Sequence, residues 1–280
     1  MFNRLLLLFT LAPILRGFIA MMISGISFPL CGVMVLRMNL IPLRYMLMHG
    51  VILGGAISLA MSLPLLPVTI IINILLVLLL LFFSRNQGQG FGSASAAAMV
   101  LSMALASLIM HVKDVPAKDT LNLMWGSPFA LLPADLIILG GMGILLIIYI
   151  VLNFKTITAL FFNQEIASSL GIRVKLNYTI MVMIIALVVA LAMKLLGAFL
   201  IDSLLILPVL GADALNLKKF GIKKLFIFSA LNGFTISLLG YILAVAVNWP
   251  PAATISLLAG LLYIILLTAG KITLKKGVTK

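Results

Sequence analysis

From position 64 to position 83 the chain carries no charged side chain and is dominated by Leu, Ile, Val and Phe. About 20 such residues in a helix cross a bilayer, because each residue rises ~1.5 Å and the hydrocarbon core is ~30 Å thick. In that medium every backbone N–H and C=O must be paired inside the protein, so only helices and closed barrels span it. The run shows none of the polar/apolar alternation of a barrel strand, so a helix is expected. Comparable runs cover residues 17–36, 45–61 (or from a few residues earlier), 93–110, 134–152, 176–193, 195–210, 225–247 and 252–269. The expected fold is all-α: a polytopic integral membrane helical bundle of about nine transmembrane helices, within a range of eight to ten, as one domain over 1–280.

Composition agrees. Hydrophobic residues make up 64% of the 280 and charged residues 9%, and mean hydropathy is +1.33, whereas a soluble domain is about 25% charged. Lys and Arg outnumber Asp and Glu by 19 to 6. The basic residues lie between apolar runs, so they read as topology signals rather than as a nucleic-acid surface. One set of alternating loops holds Arg37, Arg44, Arg85, Lys155, Arg173, Lys175, Lys218, Lys219, Lys223, Lys224 and the tail lysines Lys271, Lys275, Lys276 and Lys280, 14 of the 19. The other holds Arg4, Arg16, Lys113, Lys118 and Lys194. This split places the C-terminus in the cytoplasm and, with nine spans, the N-terminus outside. The apolar stretch 5–15 after Arg4 is shorter than a span and shows no clear cleavage site, so it reads as a retained segment that lies at the interface or leads into the first helix. The single cysteine, Cys31, excludes an internal disulfide.

No catalytic set is present. There are two histidines, His49 and His111, and neither Gly-x-Ser-x-Gly nor His-Glu-x-x-His occurs. Gly270-Lys271 is followed by Ile272 and lacks the upstream glycine of a Walker A loop. The chain is therefore read as a non-enzyme that draws on a partner or an ion gradient for energy. Polar residues inside apolar runs mark functional positions by default. Asp202, beside Ser203, is one; the alternative is a hydrogen-bonded structural carboxylate. His49 is another; its alternative is a packing histidine. His111 sits at a loop edge and reads as solvated. Gly50, Gly54 and Gly55 read as helix-packing positions. The 16 methionines admit soft-metal ligation but equally fill irregular interiors. The polar segment 153–175 contains Glu165-Ile166-Ala167-Ser168-Ser169-Leu170-Gly171, which is either a surface loop or a short cytoplasmic helix suited to docking in a partner's groove.

The Glu165-x-Ala167-x-x-x-Gly171 spacing resembles the coupling loop of ABC importer permeases. Met193-Lys194-Leu195-Leu196-Gly197-Ala198-Phe199-Leu200, continuing through Ser203-Leu204-Leu205-Ile206-Leu207-Pro208, resembles a stretch of the zinc/manganese/iron permease family of bacterial ABC importers. Leu123-Met124-Trp125-Gly126 with Pro133-Ala134-Asp135-Leu136, and Pro250-Pro251-Ala252-Ala253-Thr254-Ile255, fit the same family in order and spacing, over about residues 17–270.

The resemblance implies a multi-pass permease of the bacterial inner membrane that moves zinc, manganese or iron inward and works as a homodimer. It implies cytoplasmic ABC ATPase subunits docking at Glu165, Ala167, Ser168 and Gly171, and an extracytoplasmic metal-binding protein as donor. No cofactor is held permanently: the metal is cargo, and ATP acts only through the partner subunit. The resemblance also implies a metal-contacting Asp-x-x-x-His on the second span. Here the histidine is His49 and the acidic position is Tyr45. Asp202 is then the candidate replacement carboxylate and Tyr45 a gate. The other reading is a gradient-driven secondary transporter with Asp202 as its ion or proton site, and a third is a non-transporting membrane scaffold.

Overall fold

The computed structural model describes residues 7–84, 91–116, 118, 126–215 and 221–278. Arg4, Arg85, Lys218, Lys219 and Lys280 among the topology signals, and Leu123, Met124 and Trp125 of the loop resemblance, lie outside the described residues. The described elements are helical: α1 (Ala12–Arg37), α2 (Ile41–Met61), α3 (Leu65–Ser84), α4 (Phe91–Val112), α5 (Pro133–Leu152), α6 (Phe154–Phe162), α7 (Gln164–Ser169), α8 (Val174–Leu196), α9 (Ala198–Ala214), α10 (Ile222–Val247) and α11 (Pro251–Val278), with a 3-10 turn at Pro128–Ala130. Eight of them are long and apolar enough to cross a membrane, the exceptions being α6, α7 and the 17-residue α9. The protein is a polytopic helical membrane bundle.

Three boundaries differ clearly from the sequence expectation, and one is the end of the last helix, which runs to Val278 rather than stopping near position 269. The first helix begins at Ala12 rather than near position 17, absorbing part of the apolar stretch 5–15. The break expected at Lys194, between the spans 176–193 and 195–210, falls at Gly197 instead. Residues through Leu196 complete α8, Gly197 takes φ 88° and ψ 153°, and Ala198 opens a new helix. That backbone region is essentially closed to residues with a Cβ, so the glycine marks the break.

The chain divides into two compact units: residues 1–33, 127–147 and 199–280, and residues 34–126 and 148–198. The boundaries at 33/34 and 147/148 fall inside α1 and α5, so neither unit is a continuous stretch.

In the second unit α2 packs against α4, α3 and α8. Lipid tails are as apolar as these side chains, so close backbone approach rather than hydrophobic drive holds such helices together. A Cβ at Gly54 would stand 2.8 Å from the Thr69 Cα, and one at Gly50 would run into the Asn73 side chain. Both glycines thus serve the α2–α3 approach, as expected. Ser95, Ser102 and Ala106 form the buried stripe of α4, and Ala106 meets Ile52, Leu53 and Ala56 of α2. The serine hydroxyls donate to carbonyls one turn back, Phe91 and Ala98, at 2.7 Å each. This is how a hydroxyl is satisfied where no water is present.

In the first unit Tyr241 of α10 is wholly buried; its hydroxyl donates to the Ile14 carbonyl at 2.8 Å, and its ring packs against Phe9, Phe18 and Phe129. Arg16, expected as an external flank, lies within α1 and donates to the Leu131 carbonyl at 3.3 Å. The Asp135 carboxylate accepts the Leu132 N–H at 2.9 Å. That is the return half of a capping box, and it starts α5 at Pro133.

Candidate functional site

Two sets of residues carry the functional expectations: polar groups inside the apolar helices, and the segment 153–175.

Pro42 opens α2 in its first turn. His49 follows the first helical residue, Ile41, by eight positions, so it lies ~12 Å along the axis. Its Nδ1 lies 2.8 Å from the Tyr45 carbonyl oxygen, one turn back. A carbonyl only accepts, so Nδ1 carries a proton, and Nε2 is the nitrogen that can offer a lone pair to a cation. A second partner fixing the ring this way is the usual arrangement for a metal-binding imidazole. His49 is half-buried. Tyr45 contributes its backbone to that hydrogen bond, while its ring, 44% exposed, carries the Arg44 guanidinium 4.3 Å from the centroid. One turn of α3 faces the residue next to His49. There Asn73, which is buried, donates through Nδ2 to the Thr69 carbonyl at 2.9 Å, while its Oδ1 has no hydrogen-bond partner. The sequence shows this asparagine only as one polar residue in the most apolar run. Its register against Gly50 appears only in the fold.

Asp202 is half-buried, four residues into α9. Its neighbour Ser203 donates to the Ser256 hydroxyl of α11 at 2.6 Å, with the Phe199 carbonyl, 2.9 Å away, as the alternative acceptor for the same proton. Ser256 in turn donates to the Ala252 carbonyl at 2.7 Å. Asn232 of α10 donates to the Pro208 carbonyl at 3.3 Å. Polar ties thus join α9 to both α10 and α11. Asp202 belongs to the first unit and His49 to the second. No group of three or more His, Cys, Asp or Glu that suits a metal ion occurs among the described residues. His111 is exposed at the end of α4, and Cys31 is buried.

The segment after α5 folds as two short helices. Asn163 ends α6 and caps α7: its Oδ1 accepts the N–H groups of Glu165 (2.6 Å) and Ile166 (3.2 Å). At the other end the Ile172 N–H reaches the Ala167 carbonyl (3.1 Å) and the Gly171 N–H reaches the Ser168 carbonyl (2.9 Å). This is a Schellman motif, with Gly171 at φ +78° in the position that favours glycine. The spacing Glu165-x-Ala167-x-x-x-Gly171 therefore has a local cause: a carboxylate in the first turn, a small buried residue, and a left-handed stop.

Ala167 is wholly buried, and α7 packs on α6 and α8. Ile166 (52%) and Leu170 (70%), four apart on α7 and its C-cap, form an exposed apolar stripe, and Phe162 (87%) is exposed at the end of α6. Sequence reasoning singled out the small residues of this segment and missed this stripe, although its spacing was legible.

Comparison with known proteins follows the same outline. The ABC 3 transport family model matches residues 11–270. The manganese import system permease protein ScaB of Streptococcus pneumoniae is 26% identical over 147 residues, 52% of either chain. The match thus spans about half the length of such curated relatives. An uncharacterized membrane protein of Cyanophora paradoxa is 23% identical over 95% of this chain and 88% of its own. Among solved structures, PsaBC from Streptococcus pneumoniae in complex with Fab shares the fold, with a TM-score of 0.79 and 21% identity over 95% of both chains. With its helical membrane fold and a family match along nearly its whole length, the chain belongs to the ABC 3 transport family.

Proposed function

We propose that this chain is the membrane-spanning permease subunit of an ATP-binding cassette importer for a divalent transition-metal ion, acting as one domain over 1–280 in a bacterial inner membrane. The family match over residues 11–270 carries the reading, and the manganese import relatives favour manganese over zinc or iron. Two copies form the path, because a single chain offers few polar groups for desolvating an ion and symmetry doubles each. His49 supplies a neutral imidazole through Nε2. Asp202 supplies a carboxylate in place of the acid missing at Tyr45, and both ligand types suit these metals. Tyr45 serves as a gate one turn from His49. ATP hydrolysis belongs to partner subunits that bind the segment 153–175, and a metal-binding protein delivers the ion from outside.

Family membership favours ATP over a proton gradient as the energy source. The test is uptake of radiolabelled manganese into proteoliposomes holding the permease, its ATPase and its binding protein. Uptake is expected to need ATP, to survive a proton ionophore, and to come from a complex whose mass contains two permease chains per two ATPases. Uptake abolished by the ionophore with ATP present, or one permease per complex, overturns the reading.

A further inference from the structure

We infer that a basic groove in the second unit binds the headgroup of an anionic phospholipid. The groove has a volume of about 1120 Å3 and lies between the C-terminal end of α3, the start of α4, α7 and the first turns of α8. One wall is apolar: Leu78 and Phe82 are 47% and 64% exposed where α3 nears its end, the level at which acyl chains meet the headgroups. The other wall is cationic. Arg173 and Lys175 line it, both exposed, and no carboxylate does so among the described residues. Between them Phe91 and Tyr178 pack edge to face with centroids 6.1 Å apart, and a tyrosine ring prefers the membrane–water boundary. Ser168 and Gln164 add neutral hydrogen-bonding groups on the side of α7 away from Ile166 and Leu170. Residues two apart on a helix point about 200° apart, so the groove and the exposed apolar stripe are separate surfaces.

The occupant follows from this layout. A soluble anion has no use for the Leu78–Phe82 wall, and a neutral lipid has none for two cations without a counter-charge. Basic pockets between transmembrane helices on the cytoplasmic side hold anionic headgroups. The start of α8 carries no side-chain cap, so its amide dipole adds to the field of Arg173. The inference rests on the membrane fold and not on the metal-import reading.

The test is native mass spectrometry of the full chain after exposure to mixed phosphatidylglycerol and phosphatidylcholine. Wild type is expected to keep phosphatidylglycerol in preference to phosphatidylcholine. At about 1 kcal/mol per basic residue, the double variant R173Q/K175Q is expected to hold phosphatidylglycerol about thirtyfold more weakly, while R173K/K175R keeps it. Equal retention of the two lipids by wild type overturns the proposal, whether or not the variants fold. So does undiminished retention in R173Q/K175Q, or binding of soluble glycerol phosphate as tight as that of the lipid. If R173Q/K175Q keeps its lipid but loses the ATPase subunits, the groove is a protein-docking surface and the lipid proposal fails.

Discussion

A single hydrogen bond decides what His49 can do. With Nδ1 donating to the Tyr45 carbonyl at 2.8 Å, Nε2 is the nitrogen left to bind a cation. The histidine was legible in the sequence because it interrupts an apolar run. Its tautomer was not, because the partner is a backbone atom supplied by the helix itself and would be there whatever residue stood at position 45. That also reframes the missing acid: Tyr45 supports the imidazole from its main chain, and its ring pairs with Arg44. His49→Ala is expected to lower metal uptake by about ten- to hundredfold, the range seen even when groups supporting a metal ligand are removed. Expression and ATPase activity should stay near wild type. Asp202→Asn keeps the shape of the side chain and removes its charge, and a similar loss is expected. Uptake assays on both variants check this. Full uptake in His49→Ala removes the site, and full uptake in Asp202→Asn removes the replacement carboxylate.

At the scale of the element, α7 together with its C-cap residue Leu170 has three uses. Ala167 turns inward and is wholly buried, Gln164 and Ser168 line the basic groove, and Ile166 and Leu170 face outward. A leucine at 167 would press into packed neighbours, at a cost of about 1–3 kcal/mol, so Ala167 holds the helix in place. Ile166→Glu with Leu170→Glu leaves the packing intact and puts charge on the exposed apolar stripe. We expect this pair to insert and fold normally while ATP-dependent uptake drops at least about tenfold, as when anchor residues of an interface are lost. ATPase assays beside uptake check it, and normal coupling would move the docking surface elsewhere. The two ends of α7 were readable from Asn163 and Gly171, since capping is local chemistry. The break between α8 and α9 was readable to within a few residues, because Lys194 interrupts the apolar run; its place at Gly197 was not, because hydrophobicity records burial in lipid, not the continuity of a helix. Nor does sequence say which face of a short helix turns inward, because that depends on the α6 and α8 surfaces beneath it.

For the whole molecule the open quantity is the number of crossings, and it turns on α9. Its 17 residues reach ~26 Å, against ~30 Å of hydrocarbon. A shortfall of that size costs only fractions of a kcal/mol per Å, and local thinning of the bilayer absorbs it. The basic pattern argues that α9 does cross. Among the described residues only α8 and α9 are long helices between Ser169 and Lys223. Two crossings return the chain to the side from which it left, and one crossing does not. Lys223 and Lys224 follow α9 as Arg173 and Lys175 precede α8, and basic loops gather in the cytoplasm. We therefore expect Ser169 and Lys223 to share the cytoplasmic side, with Lys113, separated from Ser169 by the crossing of α5, outside. The native Cys31 is buried, so a membrane-impermeant maleimide reports on an introduced cysteine. In intact cells Lys113→Cys should label at once, whereas Ser169→Cys and Lys223→Cys should label only after the membrane is opened. If Lys223→Cys labels from outside while Ser169→Cys stays protected, α9 ends on the side where it began, and the chain has eight crossings in place of nine.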